Sequence, residues 1–242
     1  MMKKALGFIA AAAMLAGAAN AATVTFHTTR QGFDDNGVAG GVGAGAGFQQ
    51  YAIDGLTLTV TAGMYTDTAV TGNSVVTEGD RDAEPRVWGS GTGVDHDGGD
   101  GLPNDSSHQV DGHNGNEVVI LRFDHTVRLV SAVFSYAGGN DGFDYFVDLG
   151  SDGSLDRIAQ DVDIPNNNLF DFFALNLTGD IFGIGASYSR YSHKKDKWIT
   201  HDWKLKAVTV EKIAEIPVPA ALPLFLAGLG AIGWAKKRRK AA

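Results

Sequence analysis

Aspartates carry the densest chemistry in this chain. Asp148, Asp152 and Asp156 fall at the first, fifth and ninth positions of a loop whose sixth residue is Gly153. Oxygen ligands at alternate positions, with a glycine for the sharp turn, are what a loop-bound calcium ion needs. Gly150 occupies the third position and Ala159 the twelfth, so one carboxylate and a closing bidentate glutamate are missing. The simpler reading of the same residues is a β-hairpin, because Asp152-Gly153 is a type I′ turn signal between two β-prone runs. Asp95, Asp97 and Asp100, with Asn104 and Asp105 close by, form a second oxygen-rich stretch. It suits a weak structural calcium site or a solvated loop. His96, His108 and His113 share that region, but their spacing fits no zinc pattern and a glycine-rich loop gives them no rigid frame.

A second chemistry belongs to aromatic rings and bases. Trp88, Trp198 and Trp203, with Tyr188 and Tyr191, offer flat faces for sugar rings, and core filling is the competing reading. Of these, Trp198 and Trp203 are the glycan candidates. Arg190, Lys194, Lys195, Lys197, Lys204 and Lys206 gather positive charge on an acidic chain, either as a dock for acidic polysaccharide or as a solvated hairpin tip diluted by Asp196 and Asp202. Catalysis has no comparable signature. Neither a G-x-S-x-G elbow nor H-E-x-x-H occurs. Glu117 sits among too many acids to define an acid–base pair. With no cysteine there is no thiol nucleophile and no thiolate metal site. No catalytic residue is assigned, and the chain reads as a non-enzyme.

The elements that must carry these residues are strands. Aspartate outnumbers glutamate 23 to 5, and aspartate favours turns where glutamate favours helices. Leu56 to Thr61 alternates apolar with hydroxyl residues, Thr126 to Tyr136 alternates through Val127, Leu129, Ser131 and Val133, and Glu117 to Phe123 holds a β-branched run suited to a strand covered on both faces. Phe143 to Leu149, Leu155 to Ala159, Leu169 to Leu177, Ile181 to Ala186 and Trp203 to Val210 read as further strands. No sustained helical stripe interrupts them. These features predict an all-β protein, an antiparallel β-sandwich of jelly-roll-like form. A glycine-rich loop at 36–47 and a long Gly/Asp/His loop at 87–116 lie within the body at 22–210, and 211–215 is a linker.

Charge separates that body from its two ends. The 242 residues carry a formal −8, yet residues 22–216 hold 28 acids against 13 bases, a net −15. A basic footprint for nucleic acid is absent. Lys3 and Lys4 precede an uncharged run that finishes in Ala19-Asn20-Ala21. This is the three-part form of a secretory signal peptide at 1–21, cut before Ala22 by signal peptidase after Sec-type export. At the other end, Ile216 to Ala235 is uncharged and about the length that spans a bilayer. Lys236, Lys237, Arg238, Arg239 and Lys240 follow as a stop that stays on the cytoplasmic side.

Ile216-Pro217-Val218-Pro219-Ala220, the apolar segment and the basic cluster together resemble the PEP-CTERM class of bacterial sorting signals, in its Val-Pro-Leu-Pro-Ala variant with Ile and Val replacing the first and third residues. The resemblance covers about the last 27 residues, 216–242. It implies a Gram-negative exported protein, transiently held in the inner membrane by a single transmembrane helix. It further implies cleavage near the prolines by an exosortase-type membrane enzyme and delivery to the cell surface or matrix. Gly101 to Phe123 loosely resembles the loop-into-strand pattern of cargo domains in this class. The expectation is a non-enzymatic surface protein associated with exopolysaccharide, with calcium as a structural ion. A carbohydrate-binding module is the alternative, ahead of a glycan-active enzyme.

Overall fold

A computed structural model describes residues 22–29, 47–66, 75–95, 109–112, 115–139, 141–186, 190–192, 197–199 and 201–213. In chain order the strands are β1 (Thr23–His27), β2 (Gln49–Ile53), β3 (Leu56–Thr66), β4 (Val75–Glu78), β5 (Glu84–Trp88), β6 (Gly91–Asp95), β7 (Val110–Asp111), β8 (Asn116–Ser135), β9 (Gly142–Val147), β10 (Asp156–Asp163), β11 (Leu169–Asp171), β12 (Thr178–Ala186), β13 (Arg190–Ser192), β14 (Lys197–Ile199) and β15 (Asp202–Lys212). Two short 3₁₀ turns, Asp80–Asp82 and Phe173–Leu175, are the only helical elements among the described residues. Every strand pairing is antiparallel, and one compact unit runs Ala22–Ile213.

The 20-residue β8 runs through one continuous, sandwich-like sheet of 13 strands and joins its two halves, or layers. Its first half pairs with β3 on one side, from Leu58 opposite Phe123 to Tyr65 opposite Asn116, and with β12 on the other. Its second half pairs with β15 and β11. Asp124, His125 and Thr126 are exposed where the strand passes from one layer to the next. The first layer continues from β12 to β9 and the edge strand β10, while β2 and β4 share the far edge of β3. The second layer continues from β15 to β1, β6 and β7, with β5 beyond β6.

Period-two burial on β8 shows why the sequence folds this way. Val119, Leu121 and Phe123 enter the main core with Leu58, Val60, Leu129, Phe134, Trp203 and Val208. Val118 and Ile120 point to the opposite face, where Tyr65, Phe146 and Leu155 cover them in a second, smaller cluster. The expectation of a strand covered on both faces is therefore met by two different clusters. Aromatic packing joins the layers, with Phe143 edge-to-face at 4.9 Å from Phe170 and tilted at 5.2 Å from Phe134. Such pairs each add about 0.5–1.5 kcal/mol beyond the area they bury.

Several expected boundaries are corrected. Glu117 to Phe123 and Thr126 to Ser135 are parts of one strand, with Tyr136 just past its end, because neither glycine nor proline stands at the polar junction between them. The 87–116 stretch is not one loop: it holds the end of β5, all of β6 and β7. Glycine hid β6, and a Cβ at Gly91 would lie 2.6 Å from the Leu205 carbonyl oxygen, so close strand packing requires that glycine. Leu169 to Leu177 is strand only through Asp171, then a 3₁₀ turn closed by Asn176 at φ +48°. The 211–215 linker begins later than expected, since Glu211 and Lys212 still pair with β8.

Candidate functional site

The first layer bears a buried polar network on its outer face. On β9, Phe143, Tyr145 and Val147 point into the main core, so Asp144 and Phe146 point outward. Asp144 Oδ2 accepts a hydrogen bond from the Tyr65 hydroxyl at 3.0 Å and from Arg157 Nη1 at 3.4 Å. The Tyr65 hydroxyl also lies against the Ala186 carbonyl oxygen. Both partners of the Asp144–Arg157 ion pair are almost fully buried. Asp144 Oδ1 accepts the Asp161 amide at 2.8 Å. That amide belongs to an irregularity in β10, where Asp161 adopts φ +51° and the register with β9 shifts. The carboxylate thus satisfies a bulge that the ladder cannot.

Asp161 links this network to His201, whose Nε2 lies 3.4 Å from Asp161 Oδ1. His201 Nδ1 accepts the Gly142 amide at 2.6 Å, which places the ring proton on Nε2. The Trp203 indole donates to the Gly142 carbonyl at 3.2 Å, so the two residues flanking Asp202 hold the amide and the carbonyl of one residue, Gly142. Asp141 accepts amide hydrogens from Gly138 and Asp202, and burial raises its pKa above the ordinary carboxylate range. Burial, reinforced by the charge of Asp141, pushes Asp202 up to about 6. On the far side, Glu117 Oε2 accepts the Asp111 amide at 2.8 Å and fixes the short β7. This network contains acid and base groups that hydrogen-bond to backbone amides and carbonyls and to one another. Its chemistry is fastening β9, β10 and the start of β15.

The sequence-derived sites fare differently. Asp148 is buried, and its Oδ1 and Oδ2 accept the amides of Asp152 at 3.2 Å and Gly153 at 2.8 Å. Asp152 Oδ1 accepts the Ser154 amide at 2.9 Å, and Asp156 is an exposed residue opening β10. The hairpin is real, but its connection is an eight-residue loop organised by Asp148 and not a two-residue I′ turn. Asp148, Asp152 and Asp156 do not converge, and no group able to hold a metal ion occurs among the described residues. Asp95 ends β6 and pairs with Arg86 Nε at 2.8 Å. Asp97, Asp100 and the three nearby histidines lie outside the described residues, as do Ala19, Ala21, the 216–220 motif and the 236–240 cluster.

Trp203 is corrected from glycan candidate to core residue, since its side chain is 0% exposed and its single N–H is used internally. Trp198 stands on β14 opposite Tyr191. The basic patch is represented most clearly by Lys204, neighbour of Trp203 and therefore on the opposite face of β15. Its ammonium sits 4.3 Å from the centre of the Trp88 ring and 5.1 Å from that of Tyr136. Desolvation lowers the Lys204 pKa. Sequence reasoning paired Lys204 with other bases and missed Tyr136, whose only sequence signal was a bulky aromatic just after a long strand.

No family model, no curated protein and no solved structure matches this chain.

Proposed function

We propose that this chain is an exported, surface-sorted β-sandwich protein of jelly-roll-like form that works without catalysis in the envelope or extracellular matrix of a Gram-negative bacterium. The secretory signal at 1–21 and the 216–242 sorting tail supply its address. Calcium, in this reading, is a structural ion of the acidic stretch around Asp97 and Asp100. Extracellular polysaccharide is the intended surrounding.

The observation that carries the reading is the course of the chain at its two ends. The compact unit begins at Ala22 and finishes at Ile213, within the interval between the two address segments. The Lys212 amide donates to the Ala22 carbonyl at 3.0 Å, and β1 lies antiparallel to the final strand. Pairing of first strand with last supports the jelly-roll-like form, and removal of both ends takes away none of the strands among the described residues. The test is expression in an exopolysaccharide-forming host that carries an exosortase, followed by fractionation and intact-mass measurement. The expected surface form starts at Ala22 and lacks the basic cluster, while the double variant Pro217→Ala, Pro219→Ala stays in the inner membrane. An uncut cytoplasmic chain, or surface delivery indifferent to the proline changes, would overturn the reading.

A second reading, a carbohydrate-binding module, draws support from one arrangement, the cation held between the Trp88 and Tyr136 rings.

A further inference from the structure

We propose that Trp88, Lys204 and Tyr136 form a binding site for a carboxylate-bearing sugar, a hexuronic acid residue within a polysaccharide. The inference rests on the carbohydrate-binding reading and gives it a place and a ligand class. The three residues come from the end of β5, the outer face of β15 and the turn after β8. The Ser135 hydroxyl, bonded to the Ser90 carbonyl, holds the β5–β6 turn against the end of β8 and so brings the rings together.

Charge is the first argument. Lys204 is 2% exposed, and its ammonium contacts two rings and, at 3.5 Å, the Ser90 hydroxyl. Among the described residues no carboxylate pairs with it. Arg86, Arg122, Arg128 and Arg157 each have one, in Asp95, Glu78, Glu211 and Asp144. A desolvated cation without a counter-charge is costly, and a carboxylate arriving from outside relieves that cost. Ring attraction compensates only in part.

Shape is the second. Tyr136 is 64% exposed and adopts φ +58°, an uncommon conformation for a bulky residue, which turns the chain out of β8 and leaves the ring at the surface. One side of the ring looks toward the ammonium, and its exposed area is a flat apolar platform for the axial C–H groups of a pyranose. A hexuronic acid carries its carboxylate at a fixed distance from that C–H face, so stacking and charge neutralisation occur together. An acidic peptide side chain has no such flat face. A densely charged polyanion meets the repulsion of the −15 body, whereas one charge per sugar ring does not concentrate it.

The test is calorimetric titration of the purified full-length chain with oligogalacturonate, oligomannuronate and a neutral galactan. Binding to at least one uronate and none to the galactan is expected. Tyr136→Ala, at an exposed position, keeps the thermal midpoint and raises Kd roughly tenfold, as loss of a single aromatic anchor does. Lys204→Met keeps the stacking platform and abolishes the preference for the acidic sugar. Absence of uronate binding by the native chain, or undiminished binding by Tyr136→Ala, overturns the site even where Lys204→Met does not fold. Failure here with normal surface delivery removes the sugar site alone, whereas failed delivery of the native chain removes the exported reading.

Discussion

Replacing Asp202 with asparagine tests the electrostatics of the β9–β15 junction. Its carboxyl is held up to about 6 from an ordinary 3.8, first by burial and then by the Asp141 charge. A folded-state pKa above the unfolded one means that the folded protein binds the proton more tightly. The Asp202 contribution to stability therefore rises as pH falls from above 6 toward 3.8, and at pH 7.5 its full cost is present. A carboxyl held near 6 corresponds to at most about 3 kcal/mol. Partial contact with water reduces this to roughly 1–2 kcal/mol. Asp202→Asn should stabilise the protein by that amount at pH 7.5, which for a body of this size is roughly 2–8 °C in Tm. The difference from the native chain should shrink to about a third of that by pH 4.5 and vanish only below the unfolded 3.8. Glu78 and Asp124 do not confuse the comparison. Burial raises each, but Arg122 on Glu78 and His125 with the Thr57 amide on Asp124 outweigh it and hold both low, so their losses fall below the window. Urea denaturation from pH 4.5 to 7.5 measures both curves. A gap that does not change with pH, or an asparagine variant less stable at pH 7.5, would refute the assignment of strain to that carboxylate.

Asp148→Ala removes the acceptor of two amides in the loop that carries Leu155 onto the outer cluster, and should cost about 1.5–3 kcal/mol in denaturant unfolding; a change within experimental error would show that the loop organises itself. Tyr145→Phe deletes a hydroxyl buried without a partner among the described residues, so stability should hold or rise by up to about 1 kcal/mol, and a marked loss would mean an unseen partner. Gly185→Ala places a Cβ 2.6 Å from Tyr65 Cε1 and 3.0 Å from the Glu117 carbonyl oxygen, and should destabilise by about 1–3 kcal/mol, read by thermal melting. Millimolar calcium should raise the midpoint of the native chain but not that of Asp97→Asn, while Asp152→Asn keeps the full rise, since its carboxylate serves only a local amide.

What could be read in advance follows from physical range. Val118 to Leu121 declared a doubly covered strand because β-branched side chains on both faces exclude water wherever the strand lies. β8 could not be seen as continuous, since Asp124-His125-Thr126 resembles a turn locally and its exposure arises only from the passage between layers. The aspartates of the 148–156 loop showed the turn but not its mechanism, which lies in which amides the Asp148 carboxylate reaches. Tyr65, Asp144 and Ala186 belong to one network across separations of 79 and 121 residues, and no spacing rule spans such distances. Trp203 looked like Trp88 in composition. Register alone decided that one ring fills the core while the other covers Lys204 on the opposite face.

The adjacency of Ala22 and Lys212 also has a mechanical meaning. β1 and β15 form five antiparallel residue pairs, Thr23 with Glu211 through His27 with Ala207, and both free ends leave from the same end of that ladder. Tension applied between the termini opens the pairs one after another, as a zipper does, and never loads them together in shear. The first and last strands therefore separate at low force when both ends are pulled.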